Sequence, residues 1–110
     1  MGNTLHPIDY SATSIELAKY AKALSHPVRL IILKYLSNQS CCFTGDLVEV
    51  LPLAQSTVSQ HLKELKEAGL IQGTVNPPKI KYCIDTVNWN KAKALLGSFF
   101  DEDFNKISCC

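Results

Sequence analysis

The stretch Ala54–Ile71, AQSTVSQHLKELKEAGLI, carries a buried pattern and an exposed one at once. Val58, Leu62, Leu65 and Leu70 recur at roughly helical spacing, so one side can pack into a core. Between them stand Gln55, Ser56, Thr57, Ser59, Gln60, His61 and Lys63. Hydroxyls and amides with a single cation are the side chains that hydrogen-bond base edges and hold phosphates. A merely solvated helix would interleave Glu and Lys, and that composition begins only with the KELKE run at Lys63. Gly69 then suits a helix C-cap, while Ala54 stands where a side-chain oxygen would ordinarily cap the start, forgoing about 1 kcal/mol.

Upstream, CCFTGDLVEVL from Cys41 to Leu51 repeats apolar residues at three and four (Phe43, Leu47, Val50, Leu51). It reads as a short third helix starting near Cys42 or Thr44 and ended by Pro52. Ser14 to Leu24 reads as a first helix with Thr13 or Ser14 as N-cap. Ser25-His26-Pro27 interrupts it, because a residue before proline is pushed out of the α region. Pro27 then opens a second helix to about Ser37, apolar around nearly its whole circumference and so expected at the centre of the core.

Downstream, Leu70 to Val75 and Lys79 to Asp85 are strand-like, joined by Asn76-Pro77-Pro78, with Lys79, Lys81 and Tyr82 on the returning strand. Asn88 to Phe100 is a last helix with Trp89, Ala92, Leu95, Leu96 and Phe99 along one side, and residues 101–110 are expected to form a flexible tail. A short helix, a tight turn, a polar-faced helix and a hairpin make a winged helix-turn-helix, mainly α with a β-hairpin wing and so α+β in class. The chain is expected to be a single DNA-binding domain over 1–110. Its first and last helices are free to pair across a two-fold axis, giving a homodimer with reading helices about 34 Å apart on double-stranded DNA.

Composition bounds the rest. The net charge of +1 is modest, but Gln55 to Cys83 carries four lysines against two glutamates, while Asp101, Glu102 and Asp103 cluster near the C-terminus. No apolar run approaches the roughly 20 residues of a membrane span, and MGNTLHPIDY lacks signal-peptide organisation, so a cytoplasmic location without membrane contact is expected. An enzyme is disfavoured, since there is no Cys-x-x-Cys, no βαβ pattern, no nucleophile with a base and no glycine-rich phosphate loop.

ALSHPVRLIILKYL, CCFTGDLVEVLPLAQSTVSQHLKELKEAGLI and the hairpin ending KYCID together resemble the ArsR/SmtB family of arsenic- and metal-responsive repressors, over about Ile15 to Phe100. The resemblance implies a dimeric repressor that holds operator DNA until an inducer binds. It puts Gln55, Ser56, Thr57, Ser59, Gln60 and His61 on the DNA-reading helix, Lys79 and Lys81 on the wing, and Arg29 in a structural role.

Family sensors of soft ions carry a Cys-Val-Cys-Asp-Leu pattern where this chain has Phe43-Thr44-Gly45-Asp46-Leu47, with Cys41 and Cys42 just upstream. Five cysteines in two adjacent pairs and a single make a poor disulfide framework and fit thiol chemistry in a reducing compartment. Cys41 and Cys42 at a helix N-terminus would be favoured as thiolates, and Cys109 or Cys110 would supply the third sulfur for As(III) or Sb(III). Such an ion is an inducer and is not required for folding. A redox or persulfide switch on the same cysteines, or a thiolate site for Cd(II), Pb(II) or Zn(II), remains open. Cys83 is expected to be a small apolar strand residue. His6, His26 and His61 are scattered, which disfavours a His/carboxylate zinc site.

Overall fold

In the computed structural model, residues 10–39 and 41–102 are described, the side chains of residues 41 and 76 excepted. Helix α1 (Ala12–Ala23) starts earlier than the sequence suggests because Ser11 is the N-cap, its hydroxyl accepting from the Ser14 N–H at 3.1 Å. Helix α2 (Pro27–Gln39) begins with proline in its first turn. Strand β1 (Cys41–Phe43) precedes α3 (Thr44–Val50), and α4 (Gln55–Glu67) follows a short turn. Strands β2 (Ile71–Asn76) and β3 (Lys79–Ile84) form the hairpin, and α5 (Thr86–Phe100) closes the chain, capped by Asp85 through the Asn88 N–H.

Two expectations change. Cys41 and Cys42 lie in a strand and not at a helix N-terminus: β1 pairs antiparallel with β3, making a three-stranded sheet of order β1-β3-β2. An edge left open by the hairpin offers a ladder of backbone hydrogen bonds, and that ladder outweighs the helical reading of a three-residue segment. Helix α2 is also less enclosed than its composition suggests. Ile32, Leu33 and Leu36 are buried, but Leu30 and Ile31 remain half-exposed.

Tyr20, Ile32, Leu36, Leu47, Val58, Leu62, Leu65, Leu70 and Ile71 form the fully buried centre, each apolar side chain contributing about 1.5 to 3 kcal/mol. Helix α4 ends as its sequence indicates. Gly69 has φ +88°, Leu70 N–H donates to Leu65 C=O at 3.1 Å and Gly69 N–H to Lys66 C=O at 2.9 Å, a complete Schellman turn. A Cβ on Gly69 would lie 2.9 Å from Asn88 Nδ2, and that amide donates to Gly69 C=O at 3.0 Å. The end of α4 is thereby fastened to the first turn of α5.

Candidate nucleic-acid interface

Helix α4 divides cleanly. Val58, Leu62 and Leu65 are fully buried, whereas Gln55, Ser56, Thr57, Ser59, Gln60 and Lys63 are exposed. The exposed set combines three hydroxyls, two amides and an ammonium, donors and acceptors able to meet both base edges and phosphates. Gln60 Nε2 donates to Glu64 Oε2 at 3.1 Å along the helix surface. Ala54 gives α4 no side-chain cap, as the sequence indicates, leaving first-turn N–H groups unpaired by side chains.

The wing stands beside this face. Lys79 and Lys81 are exposed and two apart on β3, hence on one side of the hairpin. Lys79 Nζ lies 5.2 Å from the Phe43 ring centroid, a cation–π contact that ties the wing tip to the start of α3. Between α3, α4 and the wing runs a groove of ~550 Å³ lined by Asp46, Glu49, Gln55, Ser59, Lys79 and Tyr82 among others.

His61 is different from its neighbours. It is only 9% exposed, and its Nδ1 accepts from Arg29 Nε at 3.3 Å. Its ring centroid is 4.3 Å from that of His26. Burial foremost, and then the neighbouring His26 and Arg29, hold its pKa below the ordinary imidazole value. The helical period explains the placement: His61 lies three residues after Val58 and four before Leu65, on the inward side. In the sequence it reads as one more polar residue of the exposed row, because a partner 32 residues away is invisible there.

The cysteines separate as well. Cys42 is 6% exposed and free, and burial, with Asp46 adding to it, pushes its thiol up to about 11. A thiolate there is disfavoured at neutral pH, contrary to the activation expected from a helix dipole. Cys83, expected to be a plain apolar residue, is disulfide-bonded, and the register sets Cys41 opposite it. Cys109, Cys110 and His6 lie outside the described residues. Among the described residues no group of three or more His, Cys, Asp or Glu side chains is arranged to hold a metal ion. Of the cysteines expected to hold As(III), Cys42 is the one whose side chain is described, and it is a buried free thiol.

Two surfaces complete the picture. Ile15 on α1 and Val87 and Phe100 on α5 are exposed at 58%, 74% and 74%. Lys91 and Glu16, 3.1 Å apart, link the same two helices. No helix among the described residues is long and apolar enough to cross a membrane.

Residues 26–72 match the family described as bacterial regulatory protein, arsR family. Over 89 residues, 81% of this chain and 90% of the relative, the sequence is 34% identical to the HTH-type transcriptional regulator YgaV of Escherichia coli K12. It is 32% identical to the transcriptional repressor PagR of Bacillus anthracis, covering 76% of this chain and 91% of PagR. The fold superposes on an ArsR-like transcriptional regulator from Rhodococcus sp. RHA1 with TM-score 0.70 and 27% identity, covering 81% of this chain and 83% of that one.

Proposed function

Because the chain belongs to the arsR family of bacterial regulatory proteins, we propose that it represses transcription by binding double-stranded operator DNA as a homodimer. It is a regulator and not an enzyme. The observation that carries the proposal is the exposed row Gln55, Ser56, Thr57, Ser59, Gln60 and Lys63 beside the wing lysines Lys79 and Lys81. Helix α4 enters the major groove, its amides and hydroxyls on base edges, while Lys63, Lys79 and Lys81 follow the phosphates. Exposed Ile15, Val87 and Phe100 support pairing of α1 and α5 with a second copy. A duplex selected by the protein from a random pool, then used in mobility-shift assays, tests this. A protein that retains no sequence in preference to competitor DNA overturns it.

The signal we favour is the thiol–disulfide state of Cys83, because that sulfur is bonded and Cys41 is its opposite residue in the register. Closing the bond takes two electrons and two protons from two thiols, passed to a small disulfide such as oxidised glutathione, which leaves as two thiols. The bond would fasten β1, which leads into α3, to the wing strand β3, so both flanks of α4 would sense it. A coupling of about 1 to 3 kcal/mol suffices for a 5- to 150-fold change in DNA affinity. The test compares reduced and glutathione-oxidised protein on the selected duplex, with Cys83→Ser alongside. Equal affinity in both states removes the redox signal. Release of reduced protein by arsenite, retained in Cys83→Ser, would instead favour an As(III) inducer bound by other cysteines.

A further inference from the structure

The corner between α1 and α2 touches α4 through Arg29 and His26. Arg29 Nη1 donates to the Lys22 and Ala23 carbonyls at 3.3 and 3.5 Å, at the C-terminal end of α1. A cation is favoured there by the helix dipole. The same guanidinium donates through Nε to His61 Nδ1 on α4 at 3.3 Å. Arginine is a permanent cation without acceptor capacity, so His61 Nδ1 must be unprotonated for this bond to exist, with the imidazole proton on Nε2. His26, between α1 and α2, is fixed by accepting the Val28 N–H at its own Nδ1 at 3.1 Å, and its ring packs on His61 at 4.3 Å.

We propose that Arg29 and neutral His61 form a positioning contact that sets α4 against the α1–α2 corner, and that protonation of His61 releases it and weakens operator binding. This deepens the DNA-binding function above and rests on it. The ionisable groups acting on His61 are His26 from the α1–α2 turn, Arg29 from α2 and Glu64 on its own helix. Burial, His26 and Arg29 all favour the neutral ring, and only Glu64 opposes them. A protonated His61 would lose its acceptor and face Arg29 as a like charge. Because the native value lies below that of a free imidazole, about 6.5, the contact is fully present above that pH. It is lost as pH falls from there through the native value. General electrostatics act in the opposite direction, since acidification adds positive charge and strengthens attraction to DNA. Loss of affinity on acidification therefore has a specific cause.

The full chain is titrated against its selected duplex at constant ionic strength, from about pH 7.5 down through the His61 midpoint located by its imidazole shifts. Wild-type affinity should fall at least about 5-fold, the lower end of typical coupling. Two substitutions sharpen the result. In His61→Asn the amide oxygen occupies the Nδ1 position and accepts from Arg29 without titrating. This variant should bind more tightly than His61→Leu at the higher pH and show no loss on acidification. Affinity that is constant or rises in wild type, or an identical fall in His61→Asn, overturns the proposal. Imidazole nitrogen shifts of the wild-type protein, recorded without DNA, should show His61 as the Nε2–H tautomer titrating below a free imidazole. The Nδ1–H tautomer, or His61 titrating above a free imidazole, would refute it even if no duplex bound, an outcome that would separately refute the DNA-binding function.

Discussion

Helix α4 and the helices α1 and α5 all expose side chains to solvent, yet the exposed sets differ in chemistry. The first half of α4 exposes hydroxyls, amides and Lys63, whereas α1 and α5 expose large apolar side chains, Ile15, Val87 and Phe100, among their lysines. Exposed groups that can each satisfy a donor or acceptor suit a partner whose edges are polar and varied. Exposed apolar side chains suit a partner that is itself apolar, and a second copy of the same face meets that need. The helix starts follow the same division: α1 and α5 are capped by Ser11 and Asp85, while α4 has only Ala54. A reading helix without a side-chain cap keeps its first-turn N–H groups available to an anion.

The sharpest way to break this comparison is to charge the apolar face. Ile15→Glu with Phe100→Glu should halve the mass in solution and lower operator affinity by about 100-fold, the avidity lost when two half-sites are no longer engaged together. Thermal unfolding should move little, because both side chains are exposed. An intact dimer with unchanged affinity would assign that face elsewhere.

On the polar face, Gln60→Ala should cost about 1 to 3 kcal/mol on the selected duplex and relax preference at one base position. Lys81→Ala should instead weaken all duplexes alike and reduce the slope of log affinity against log salt by about 1. If both variants behave alike, the separation of base-reading helix from phosphate-holding wing fails. The smallest effect belongs to Ala54→Ser. Ala54 already has the extended backbone of a cap residue, φ −67° and ψ 151°. The added hydroxyl should raise stability by about 1 kcal/mol in urea titrations. A loss of stability would mean that the α3–α4 turn cannot accept the hydroxyl.

Much of the fold was legible because it is written in local patterns. The apolar period of α4, Gly69 and the Asn76-Pro77-Pro78 turn each specify their element within a few residues, and the helix-turn-helix and wing follow from their order. The exposure of Gln55, Ser56, Thr57, Ser59, Gln60 and Lys63 was legible for the same reason. Three features were not. Strand β1 exists only because β3 lies beside it, some 40 residues later in the chain. Cys42 is buried in that strand and Cys83 is disulfide-bonded, and neither state is signalled by the neighbouring residues in sequence.

His61 makes the division plain. Sequence alone determined that α4 would have a polar and an apolar side, since helical geometry fixes which residues share a face. Tertiary structure decided what His61 meets on the inward side. Its ring is buried, and its partners Arg29 and His26 are brought there by the packing of α2 and the turn before it against α4. A side chain's chemistry is local, but its protonation and its partner depend on contacts that only a folded chain creates.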